Sequence, residues 1–194
     1  YAAAVERYRP NAAAAYRRNL ARSRRRDFVV RVRAFLVAHA VAVVRVHTGG
    51  DFHSRGYARK WLRVMRRSPR VTFYFYTRSW RVPAIRPVIE EMADLPNCVA
   101  WYSCDRGTGV PADVPPRVRL AWLATADDDV PPAGLDLVFR IRRLRRRPVA
   151  PGGPPVCPGE DGVIRPRTVT CDRCGVCWHP ARARRFPLPV IDPT

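Results

Sequence analysis

Lysine is almost missing from this sequence. Of 36 basic residues, Lys60 is the one lysine and 35 are arginine, set against 16 acidic residues for a formal charge of +20. Alanine, valine and proline are abundant, which together with arginine marks GC-rich coding, so part of the charge reflects codon bias. The clusters Arg22 with Arg24–Arg26, Arg142–Arg147 and Arg182–Arg185 still allow binding of nucleic acid or another polyanion. A bilayer-spanning segment is also missing. The longest apolar candidate, Phe35–Val44, is too short and is broken by His39, so no membrane partner is expected. Gly-x-Ser-x-Gly, P-loop and dinucleotide fingerprints are absent, which removes the best-marked hydrolase and nucleotide-binding classes. There is no internal repeat. No cysteine precedes Cys98. No secretory leader is seen and the rest reads as an α/β domain of intracellular type, so disulfides are a weak reading and a cytoplasmic setting is expected.

The cysteines that are present crowd into the last quarter. Cys157, Cys171, Cys174 and Cys177 read CP-x12-C-DR-C-GV-C-WH. Two overlapping C-x-x-C steps bring three thiolates toward one centre, and Cys157 can complete the shell. Soft sulfur ligands suit Zn²⁺ or an iron–sulfur cluster, and His179 offers zinc a nitrogen ligand. The segment has little apolar content and would lean on a metal to hold a fold.

The remainder reads as an α/β domain of about one core's length. Helices are expected over residues 1–24, interrupted at Pro10 and recapped by Asn11, and over residues 27–39. Strands are expected at Val41–His47, Val71–Thr77, Cys98–Tyr102, Val118–Leu123 and Leu137–Ile141. Between them lie helices at Arg55–Arg67, capped by Ser54, and at Ile85–Leu95. Such alternation predicts a parallel sheet of βα units, a partial TIM-like barrel, over residues 1–147. A Pro/Gly linker over 148–156 and the Cys-rich metal or cluster segment over 157–194 would follow.

In parallel sheets, ligands bind at the carboxyl ends of strands. Those ends carry His47, Thr48, Gly49, Gly50 and Asp51, then Thr77, Arg78 and Ser79, then Cys104 and Asp105, then Thr125 with Asp127–Asp129. Each has a plainer role open to it. Gly49-Gly50 can be a tight turn, His47 a structural hydrogen bonder, Asp51 a helix cap, and Thr77 and Ser79 turn residues. Cys98 reads as a small buried hydrophobe.

The run Arg45-Val46-His47-Thr48-Gly49-Gly50-Asp51-Phe52-His53-Ser54, then Tyr57 and Trp61, then Phe75-Tyr76-Thr77-Arg78-Ser79, resembles the phage and bacterial gene product 88 family. The resemblance covers about residues 1–145, and the C-terminal cysteines also fit it. Members look like radical S-adenosylmethionine (SAM) proteins. The resemblance implies a [4Fe–4S] cluster and SAM as cofactors, with Gly49, Gly50, Asp51, Thr77 and Ser79 around SAM and His47 and Asp105 facing cofactor or substrate. The four C-terminal cysteines would hold an auxiliary cluster. One departure stands out: the three cluster cysteines expected near the N-terminus are missing. A Cys-Tyr-Ala step in related sequences would place the last of them just before Tyr1, so a truncated and inactive chain is expected. A zinc-ribbon protein that binds nucleic acid through its arginines is the alternative. A hydrolase or transferase using His47 and Asp51 is a third reading, without a motif to support it.

Overall fold

The structure, a computed structural model, describes residues 9–144, 153–157 and 170–179. It is an α/β fold with a five-stranded parallel sheet whose strands follow chain order: β1 (Val43–Arg45), β2 (Thr72–Thr77), β3 (Cys98–Cys104), β4 (Val118–Ala124) and β5 (Leu137–Arg140). The order never reverses. A doubly wound sheet reverses at a switch point, whereas α/β barrels wind in this sequential way. The chain forms two compact units, Tyr1–Cys98 and Val99–Thr194.

In the first unit, α1 (Pro10–Arg24) begins with proline at its first turn, where a missing N–H costs nothing. Helix α2 (Phe28–Ala38) follows, and α3 (Arg55–Arg66) is capped by Ser54, whose Oγ accepts from the Tyr57 amide at 3.2 Å. Such a cap is worth about 1 kcal/mol. Helix α4 (Arg86–Ala93) has Pro87 in its first turn. Strand β1 pairs in parallel with β2, Val44 opposite Phe73. It is shorter than the apolar run Val41–His47 predicts, because His47 turns into the left-handed region at φ +66° and Ala40 lies at φ +46°. Phe73 and Phe75 of β2, Met65 of α3 and Ile89 and Met92 of α4 are fully buried and form the core. Asn97 ties three segments together, its Nδ2 donating to the carbonyls of Met65, Ser68 and Val71 at 3.0–3.2 Å.

In helix α2 the apolar residues Phe28, Val32, Phe35 and Leu36 recur at helical spacing, yet the buried residues are Val29 and Leu36. Phe35 stays 58% exposed. The reason is that α2 packs on α3 by one narrow stripe while its neighbouring face borders an open cleft.

In the second unit, β3–β4 and β4–β5 pair in parallel, with Tyr102 opposite Leu120 and Trp122 opposite Val138. Both faces of β3 are buried almost throughout, as in parallel sheets generally. Val156 bridges Val138 in parallel, and the Cys157 amide donates to the Val138 carbonyl at 2.8 Å. A one-turn helix α5 (Cys171–Cys174) ends at left-handed Gly175, whose amide donates to the Cys171 carbonyl. This turn is fastened to the strands. The Trp101 indole N–H donates to the Cys177 carbonyl at 2.9 Å and the Arg119 guanidinium to that of Val176 at 3.2 Å. Most of the expected linker and much of the Cys-rich segment lie outside the described residues. Among the described residues no helix is long and apolar enough to cross a membrane.

Candidate functional site

Beyond β1 the chain runs Val46-His47-Thr48-Gly49-Gly50-Asp51 and opens into a cleft of about 950 Å³. Helices α1 and α2 and the turn between them supply Tyr16, Arg17, Arg22, Arg25, Phe28 and Arg31; α3 supplies Tyr57 and Trp61; the strand and its loop supply Arg45, His47, Gly49, Gly50, Asp51 and His53. Five arginines line it against a single carboxylate, that of Asp51.

Asp51 is engaged with the end of β2. Its carboxylate accepts the Thr77 hydroxyl at 2.5 Å and the amides of Phe52, Arg78 and Ser79 at 2.7, 2.7 and 3.1 Å. Ser79 Oγ donates to the Phe52 carbonyl at 3.1 Å, and its amide also reaches Thr77 Oγ1. Thr77 and Ser79 are buried. Three residues singled out from the sequence are therefore together, bonded to one another in a knot that fastens the loop after β1 to the loop after β2. Gly49 and Gly50 lie on the cleft side. Gly50 takes φ +83°, which suits glycine. A Cβ on Gly49 would stand 2.6 Å from the Tyr16 hydroxyl, so the missing side chain lets α1 close over the loop.

His47 carries two marks of a specialised position. Its backbone is left-handed, uncommon for a residue other than glycine, and its ring Nδ1 is buried without a hydrogen-bond partner. The other nitrogen, Nε2, lies 3.0 Å from the Tyr57 hydroxyl. Burial pushes the His47 pKa down to about 4, with the His53 charge in the same direction and Asp51 opposing, so the ring is neutral at pH 7. Burial likewise raises the Tyr57 pKa. The Trp61 indole N–H opposes that rise but, like His47 Nδ1, lacks an acceptor in hydrogen-bonding geometry.

The cleft's outer wall depends on contacts that the sequence does not announce. His53 stacks on Tyr57 at 4.5 Å and pairs through Nε2 with Ser23 Oγ of α1 at 2.9 Å. Lys60 Nζ donates to the carbonyls of Ser23 and Arg25 at 2.8 Å each, a cation on the carboxyl end of α1. Asp27 accepts from both Arg25 and Arg31, which holds its carboxyl well below the usual range. Arg17, Arg22 and Arg45 form no ion pair among the described residues; the Arg45 guanidinium lies 5.5 Å from the Tyr76 ring centre.

The other sequence candidates belong to the second unit. Asp105 closes its own turn, accepting the Thr108 amide at 2.8 Å while its amide donates to Thr108 Oγ1 at 2.8 Å. Cys104 is buried, and at the end of the first unit burial pushes the Cys98 thiol up to about 12, which makes it inert. Cys171 is exposed and Cys157, Cys174 and Cys177 are half-buried. Among the described residues no three His, Cys, Asp or Glu side chains are grouped closely enough to hold a metal ion. Arg145–Arg147 and Arg182–Arg185 lie outside the described residues.

Fold and cleft thus define an α/β protein with a sequentially wound parallel sheet and an arginine-lined pocket at the end of its first strand. The chain belongs to the gene product 88 family, whose family model matches residues 1–180. No curated protein and no solved structure matches it.

Proposed function

We propose that this chain binds polyanions, nucleic acid in particular, and that the cleft of the first unit receives the phosphates. The observation that carries this is the ratio of five arginines to one carboxylate on a concave surface edged by Phe28, Tyr57 and Trp61. Arginine pairs well with phosphate oxygens, and aromatic edges suit bases. Asp27 pairs with Arg25 and Arg31, which leaves Arg17, Arg22 and Arg45 as the lining arginines without an ion pair among the described residues. The test is anisotropy of a labelled single-stranded 12-mer against salt. Log affinity should fall linearly with log salt. The triple substitution Arg17→Ala/Arg22→Ala/Arg45→Ala should weaken binding at least about tenfold and flatten the slope by about 2, at roughly 0.7 per lost phosphate contact. Absence of binding at about 50 mM salt, or a triple variant that binds as before, removes the reading.

A second reading, a radical-SAM-like iron–sulfur protein, is favoured by the sequential strand order and by the Gly49-Gly50 turn at the end of β1. Asp51 has its four hydrogen bonds within the protein, so in this reading Gly49 and Gly50 rather than Asp51 would meet the SAM amino group. The C-terminal cysteines would hold an auxiliary cluster, or Zn²⁺ if the segment is a ribbon. Iron, sulfide and zinc content after anoxic purification separates these, with Cys171→Ala/Cys174→Ala as control. Iron matched by sulfide and lost in the control supports the second reading. Zinc without sulfide supports a ribbon beside the polyanion cleft. No metal at all leaves the cysteines without a centre.

A further inference from the structure

We propose that the loop Thr48–Gly50 is a phosphate-binding site, and that the ligand unit it selects is a nucleotide. The proposal rests on the polyanion reading and narrows it to one loop and one ligand class. The backbone N–H groups of Thr48, Gly49 and Gly50 donate to no acceptor among the described residues. They sit between two left-handed residues, His47 at φ +66° and Gly50 at φ +83°. A left-handed residue next to a right-handed one is the element from which anion-cupping turns of successive amides are built. Gly50 has nothing within 4 Å of where a Cβ would sit, so the backbone there is open to close approach, while Tyr16 covers Gly49.

The surroundings select for phosphate. Arg22 and Arg45 line the same cleft and form no ion pair among the described residues. Asp51, next in sequence, would repel an anion, but its carboxylate is drawn away to the Thr77 hydroxyl and the amides of Arg78 and Ser79. Several amides with guanidinium groups suit a dianion of three oxygens better than a flat carboxylate. Phe28 and Trp61, edge to face at 5.5 Å, give the same cleft an aromatic side for a base. At about 950 Å³ it has room for a mononucleotide.

The strained backbone of His47 fits this purpose. A left-handed histidine persists only where its surroundings hold it, here through the Tyr57 hydroxyl and the T-shaped contact with Phe52 at 4.9 Å. The pairing keeps the loop's amides presented whether or not a ligand is present.

The test is amide NMR on the full chain, titrated with inorganic phosphate, then AMP, then adenosine. The amides of Thr48, Gly49 and Gly50 should shift together and saturate with phosphate and with AMP, AMP binding at least tenfold more tightly. Adenosine should leave them in place. Arg45→Gln should weaken AMP binding about tenfold with the spectrum otherwise folded, and Arg59→Gln, an exposed arginine outside the cleft, should not. If the 12-mer binds but neither phosphate nor AMP moves these amides, the loop site is overturned while the polyanion reading stands. If AMP binds no better than phosphate, the nucleotide assignment is overturned. If the 12-mer fails to bind as well, both fall together.

Discussion

The two units hold their strand ends in different ways. In the first, the carboxylate of Asp51 reaches residues 26 to 28 positions away and fastens one strand-end loop to the next. In the second, Asp105 and Asp129 act close to home, while Asp128 reaches Arg106 of the preceding strand-end loop by an exposed ion pair at 2.9 Å. Asp105 closes a turn with Thr108, Asp129 accepts the Trp122 indole N–H at 3.0 Å and the Thr125 amide at 2.8 Å, and Asp136 takes the Leu120 amide from 16 positions away. Local closure rigidifies each loop separately. Long-range fastening holds the loop after β1 at its base and leaves its glycine side open to the cleft.

The sharpest way to break this contrast is to disable one carboxylate in each unit. Asp51→Ala should cost about 4 kcal/mol in urea unfolding, because the buried Thr77 hydroxyl and three amides lose their shared acceptor. Asp129→Ala should cost about 2 kcal/mol, with fewer donors stranded. Equal losses would mean that sequence distance does not matter to these contacts.

Acid should act on the first unit through His47. Its folded pKa of about 4 lies below the ordinary 6.5, so the unfolded chain binds the proton more readily. Stability is then full above pH 6.5 and falls as pH drops toward 4, by roughly 3 kcal/mol for this group. His53, also lowered by burial, adds in the same direction. His47→Asn, which tolerates a left-handed backbone, should flatten the profile in that window; an unchanged slope would show that the ring is not the acid-sensitive group. A smaller effect is expected at the cleft wall. Lys60→Met keeps the apolar stem but removes the ammonium from two carbonyls, and should cost about 1.5 kcal/mol. Faster hydrogen exchange should follow in α1 with β2 unchanged.

Much of the scaffold was legible in the sequence. The β-branched runs and the Ser54 cap gave strands and helix in the right order, because burial on both faces and a single hydroxyl leave local traces. His47, Gly49 and Gly50 stood out as strand-end polar residues, and they do line the cleft. The roles of Asp51, Thr77 and Ser79 were not legible, since a carboxylate at a strand end reads alike whether it faces a ligand or a neighbouring loop. Tyr16 and Ser23 were invisible, because their partners Gly49 and His53 lie some 30 positions away and pair by shape and hydrogen bonding rather than by pattern. The orientation of α2 was not legible for a related reason: apolar spacing marks a face without saying whether that face meets the core or a cleft.

The scarcity of lysine has a practical consequence in covalent chemistry. These 194 residues hold one side-chain amine, and it is the group that clasps the end of α1. An amine-selective acylating reagent would find its one side-chain target there, and only once the ammonium has let go of Ser23 and Arg25 and shed its proton. The labelling rate at Lys60 is thus a clock for the opening of the wall, and a completed acylation would leave α1 unclasped, a mark that is at once probe and lesion.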